Sequence, residues 1–280
     1  MTQTTRQFWV RRIIWALLVV ITAVFVVVKV KATMYVSGPA LDFYRAVEAV
    51  PKDKIIVISC DWEAGTRGEN SPQTEALIRQ CFEQDKRFAI FGWVYPPGPT
   101  FGQQIAERLA PRYHKRYGRD WVNWGFKAGG AIFIRAWAKD IPGQIVQDIF
   151  GTPITRLPAM QGICTIRDVG LIASITPSAS VPVWIRYIYG FYRTKIVYAC
   201  TGVMAPEAFP YYDAHQVAGV LKGLTGAAEY ETLLRYRGDA MRRMPAQSAA
   251  HAAIILLIVI GNVIYIYSRR RPGAGSPPGR

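Results

Sequence analysis

Histidine and cysteine are scarce, three and four residues in a chain of 280, and no Cys-x-x-Cys pair or Cys/His metal spacing occurs. No metal site is therefore expected, and Cys60, Cys81, Cys164 and Cys200 read as small buried hydrophobes. A Cys60–Cys200 disulfide stays open, since both residues end apolar runs and could pair if their strands were neighbours. Neither G-x-G-x-x-G nor G-x-x-x-x-G-K-[ST] is present, so no phosphate loop is announced, no cofactor is named, and Gly129-Gly130 reads as a turn. Acids are also in deficit, 19 against 34 Lys and Arg, for a formal charge of +15. Nucleic acid is nevertheless not the expected partner. Arg6, Arg11, Arg12, Arg269, Arg270, Arg271 and Arg280 lie on two tails that carry no acid, and Lys29, Lys31, Arg242 and Arg243 flank apolar runs. Such placement is membrane topology and headgroup attraction rather than a nucleic-acid stripe.

Two uncharged apolar runs are present. The first covers residues 13–28 and continues at Val30 past Lys29, whose stem can lie in lipid while its ammonium reaches water. A cleaved signal peptide is the alternative, but no small-x-small site follows. The second covers residues 249–267, interrupted only by His251, and ends in Tyr265 and Tyr267 before three arginines, which favours a span over a buried soluble helix. The expected organisation is a basic tail (1–12), a transmembrane helix (13–30), an α/β domain (31–248), a second transmembrane helix (249–267) and a basic Pro/Gly-rich tail (268–280). The arginines place both termini in the cytoplasm and the domain across the cell membrane, a two-pass arrangement.

Within the domain, apolar runs alternate with helix-like segments. Strands are expected at 54–60, 87–95, 120–126, 171–176 and 195–200, with helices at 41–50, from Ser71-Pro72, at 101–117 and at 182–194, and an irregular stretch at 131–170. Alternation of this kind implies an α/β fold with a mainly parallel, doubly wound, Rossmann-like sheet. The first strand runs into Asp61, Glu63, Gly65, Thr66, Arg67, Gly68 and Glu69, at the strand end where ligands gather in such sheets. Asp61, Glu63, Thr66, Arg67 and Glu69, with Thr201 at the end of the fifth strand, are the candidate ligand-binding residues; no catalytic residue is assigned. The same composition also suits a self-contained loop closed by salt bridges to Arg67.

Gly219, Gly223 and Gly226 recur at helical spacing and mark a helix packed closely on another backbone, in this chain or across an interface. Glu231 and Arg235 are placed for an exposed i,i+4 pair on it, and Pro245 should separate it from the second span. The aromatic segment holding Trp184, Tyr187, Tyr189, Phe191 and Tyr192, with Arg186, Arg193 and Lys195, reads as half-buried on the sheet or as a membrane-surface element.

Asp61 with the run 65–69, Gly151-Thr152-Pro153 and the run 219–231 resemble a family of uncharacterised prokaryotic proteins with two membrane spans around an α/β domain. The resemblance covers roughly residues 41–235 and implies fold and anchoring, with no activity or catalytic residue. Two functions are in view. One is a membrane-anchored binding or scaffold subunit of a larger membrane assembly, partnered by lipid and by copies of itself or other membrane proteins. The other is a membrane-anchored group-transfer enzyme or hydrolase in which Asp61, Glu63 or Glu69 serves as acid, base or metal ligand.

Overall fold

The computed structural model describes residues 3–27 and 34–269. The chain divides into two compact units, Thr33–Met241 on the one hand and the two terminal segments on the other.

In the terminal unit, the N-terminal helix is Gln3–Val27, and the long C-terminal helix Asp239–Arg269 leads into the unit. Among the described residues one helix is long and apolar enough to cross a membrane, Asp239–Tyr267; the apolar stretch of the first helix is the shorter Arg12–Ile21. Residues 28–30 of the expected first span and residues 270–280 of the basic tail lie outside the described residues. Pro245 does not end a helix as expected. It sits inside Asp239–Arg269, in the second turn, where the missing amide costs a single bond.

The other unit is an α/β domain built on a six-stranded, wholly parallel sheet: β1 (Ile55–Cys60), β2 (Arg87–Gly92), β3 (Trp121–Phe126), β4 (Val169–Thr176), β5 (Lys195–Cys200) and β6 (Val220–Lys222). The spatial order is β3-β2-β1-β4-β5-β6, a Rossmann-like arrangement whose direction of winding reverses between β1 and β4. Every residue of β1 is buried, which is why it reads as an unbroken apolar run rather than an alternation. Alternate residues still serve different faces: Ile56, Ile58 and Cys60 join one core, Ile55 and Val57 the other. The first core is covered by helices Gly38–Glu48, Arg67–Glu83, Gly98–Leu109 and Gly223–Leu233, and the second by Gly130–Lys139, the helical segment from Val181 to Tyr192, and Ala205–Asp213.

Three expectations are corrected. The helix after β1 begins at Arg67, a full turn before Ser71-Pro72, and carries Pro72 in its second turn. Gly219, Gly223 and Gly226 do not share a helix, because β6 intervenes; Gly219 precedes it and Gly223 opens the helix Gly223–Leu233 at φ 52°. Close packing is nevertheless the reason for them, and it is within the chain. A Cβ on Gly219 would stand 2.2 Å from the Phe43 amide nitrogen, and one on Gly226 2.8 Å from the Leu221 backbone. Finally, Cys60 and Cys200 are both free and buried on strands separated by β4, so they cannot pair.

Candidate functional site

The carboxyl ends of β1 and β4, where the winding reverses, are the place to look for a ligand. Asp61 follows β1 directly, and its amide continues the ladder to the Ile175 carbonyl at 2.9 Å. Its side chain is fully buried. One carboxylate oxygen accepts the amides of Trp93 (2.7 Å) and Val94 (2.8 Å), and the other is bonded to the Ser59 hydroxyl. Burial pushes the carboxyl above its ordinary value, opposed by Ser59 and by the amides of the loop after β2. Asp61 thus holds the β2 loop against the end of β1.

The neighbouring residues close this corner further. Trp62 is fully buried and stacks on Phe101 with ring centroids 4.9 Å apart. The helix Gly98–Leu109 starts so close to β1 that a Cβ on Gly98 would lie 1.9 Å from the Cys60 carbonyl oxygen. Only glycine fits there.

The remaining candidates point elsewhere. Glu63 is exposed, and its carbonyl accepts the Thr66 hydroxyl at 3.3 Å. Arg67 makes no ion pair with the acids; its guanidinium lies 5.6 Å over the Phe101 ring. Glu69 reaches along the same edge toward β5, where it accepts the Gly202 amide at 2.6 Å, beside buried Thr201 and the tightly packed Gly223. The salt-bridged loop expected from composition is therefore replaced by carboxylate-to-amide bonds. Asp61 and Glu69 diverge, one to the loop after β2 and the other to the loop after β5. No group of three or more potential metal ligands occurs among the described residues.

Several polar residues at this edge escaped the sequence reading. Gln73, fully buried, donates to the carbonyls of Cys200 (2.8 Å), Gly223 (3.0 Å) and Leu221 (3.3 Å), and it receives the Asn70 side-chain amide at 2.9 Å. It ties the helix Arg67–Glu83 to the ends of β5 and β6. Ser59 lies two residues before Asp61, hence on the same side of the strand, a period-2 signal that was available in the sequence. Ser174, its register partner on β4, and Ser180 beyond β4 are buried with hydroxyls that have no hydrogen-bond partner. Glu231 is buried rather than exposed and does not pair with Arg235; it accepts the amides of Gly238, Ala240 and Met241 at 2.8–3.1 Å.

No protein-family model, curated relative or solved structure matches the chain.

Proposed function

We propose that the chain is a membrane-anchored α/β binding or scaffold subunit of a larger membrane assembly. The observation carrying this reading is the closure at the end of β1: Asp61 is bonded to two amides and a hydroxyl, and Trp62 is packed under Phe101. A carboxylate so engaged is a brace, with both of its oxygens already bonded within the chain. The long apolar helix supplies the anchor. Exposed Val146, Ile149 and Phe150, in one loop beside the edge strand β3, suit contact with a protein partner. The finer topology, two spans with both Arg-rich termini cytoplasmic and the domain across the membrane, follows from the arginine placement and belongs to the same proposal, as does the resemblance to two-span α/β membrane proteins.

Native mass spectrometry of the full chain extracted in mild detergent tests the assembly. A particle heavier than one 31.4 kDa chain is expected. A single chain at all extraction conditions overturns the scaffold reading.

A second reading rests on Ser174 and Ser180. Buried hydroxyls without partners, one within β4 and one four residues beyond its end, suit a small polar ligand at the point where the winding reverses. It takes first place if a low-mass ligand raises the melting temperature of the parent but not that of Ser174→Ala.

A further inference from the structure

The opposite, amino-terminal edge of the sheet holds a cleft of about 320 Å³. Four of its wall residues are cations: Lys54 ahead of β1, Arg167 ahead of β4, and Arg193 and Lys195 at the start of β5; no acid lines it. None of the four belongs to an ion pair among the described residues. The Arg193 guanidinium carbon lies 5.3 Å from the centre of the Tyr189 ring.

The local backbone is shaped to bring these charges together. The pairing of β1 with β4 slips between Ile55 and Ile56, leaving Gly170 as an extra residue on β4. Such bulges redirect a strand and the side chains beside it. Gly170 is pressed against Val50 and the stem of Lys54, where a Cβ would meet Val50 Cγ1 at 2.6 Å, so the lysine is packed along the cleft wall rather than free in solvent. On the other wall, the helical segment from Val181 passes through a π turn at Ile185–Tyr189 and ends on Arg193 at φ 57°, a left-handed conformation that glycine ordinarily takes. An arginine held there keeps its charge at the cleft at some backbone cost.

Acids stand beside the cleft rather than in it, Asp53 and Asp168 sharing a neighbouring cleft with Lys54. Asp168 accepts the amides of Cys164 (2.9 Å) and Thr165 (2.8 Å), and Asp42, in an adjoining cleft that Arg193 and Lys195 also wall, accepts the Tyr212 hydroxyl at 2.6 Å. Asp213 stands in that second cleft as well. Four like charges around one concavity repel each other in the empty state, and a multivalent anion relieves that repulsion.

We propose that this cleft binds a phosphate group carrying at least two negative charges, held by Lys54, Arg167, Arg193 and Lys195. Guanidinium pairs are suited to phosphate oxygens, with lysines adding point charge. The source is either a soluble phosphate compound or a phosphomonoester lipid headgroup. This site is separate from the carboxyl edge and does not depend on the scaffold reading.

The test is thermal unfolding of the full chain in detergent, at matched ionic strength, with inorganic pyrophosphate or with short-chain phosphatidate, and with short-chain phosphatidylcholine as control. A rise of ~2 °C or more is expected with at least one of the first two and not with the third. A rise with pyrophosphate alone assigns a soluble ligand, and a rise with phosphatidate alone assigns a headgroup. Arg167→Gln combined with Lys195→Gln should weaken the effect on the order of tenfold, while Arg156→Gln, outside the cleft, should not. Arg193→Gly is the second variant, since glycine suits φ 57° and removes the charge without straining the chain. No rise with either anion, or an undiminished rise in both cleft variants, overturns the proposal.

Discussion

The carboxylate of Glu69 accepts the Gly202 amide at 2.6 Å, joining the first turn of the helix Arg67–Glu83 to the loop after β5 across 133 residues of chain. An acid in that turn also complements the positive end of its own helix. Glu69→Gln keeps an acceptor oxygen but loses the charge assistance, and so should cost about 1 kcal/mol, a fall in melting temperature of ~2–4 °C for a domain of this size. A clear rise on neutralising Glu69 would mean that the acid is kept for a ligand at a cost to stability.

Asp61 should respond more strongly and with a distinctive pH signature. Asp61→Ala strands the Trp93 and Val94 amides and the Ser59 hydroxyl in a dry interior, at roughly 3 kcal/mol or more, whereas Asp61→Asn retains an acceptor and a similar shape and should be milder. Because burial raises the folded carboxyl above its unfolded value, the native state holds the proton more tightly. The associated stability is fully present below the unfolded pKa and is lost as pH rises through the folded one. Urea midpoints followed upward from acid pH should therefore shift in favour of Asp61→Asn relative to the parent. A constant difference across that range would show that Asp61 does not titrate there.

The sequence disclosed the strands better than the contacts between their ends. Lys195–Cys200 matches its expected bounds, and β1 and β4 differ by one or two residues, because strands buried on both faces are written as continuous apolar runs. β6 has three residues, too few to show a period, and Gly219, Gly223 and Gly226 around it imitate helical spacing for unrelated packing reasons. Pro72 suggested a helix start because proline suits the first turn, yet the helix tolerates it one turn later, where a single amide is missing. Asp61 and Glu69 were legible as unusual polar residues at a strand end. Their partners were not, since Trp93 and Gly202 lie 32 and 133 residues away and are engaged through backbone amides that no side-chain pattern announces.

Gly223 combines two constraints. Its φ of 52° disfavours any β-carbon, and a Cβ would stand 3.0 Å from the Gly202 nitrogen and 2.8 Å from the Glu69 carboxylate. Gly223→Leu should destabilise the domain by on the order of 1 to 3 kcal/mol despite leucine's better helix propensity. The same substitution should weaken the Glu69–Gly202 bond, so the double variant with Glu69→Gln should cost less than the sum of the two single changes. Strict additivity in chemical denaturation would separate the two sites energetically and contradict the packing seen here.

Glu231 sets the start of the long C-terminal helix. One buried carboxylate accepts the amides of Gly238, Ala240 and Met241, which include first-turn amides that have no partner within the helix itself. It acts as a cap supplied by the preceding helix, Gly223–Leu233, rather than by the residue before Asp239. Gly238 is needed for the approach, since a Cβ there would fall 2.2 Å from a Glu231 oxygen. Glu231→Ala leaves three amides without their acceptor and should cost roughly 2 to 4 kcal/mol, while Glu231→Gln, which can still accept, should recover much of that loss. Hydrogen exchange gives the specific readout. Amides 238–241 should exchange faster in Glu231→Ala than in the parent, with protection in β1 changed only by the global loss of stability. Unchanged protection at 238–241 would mean that the helix start is held by contacts other than this carboxylate.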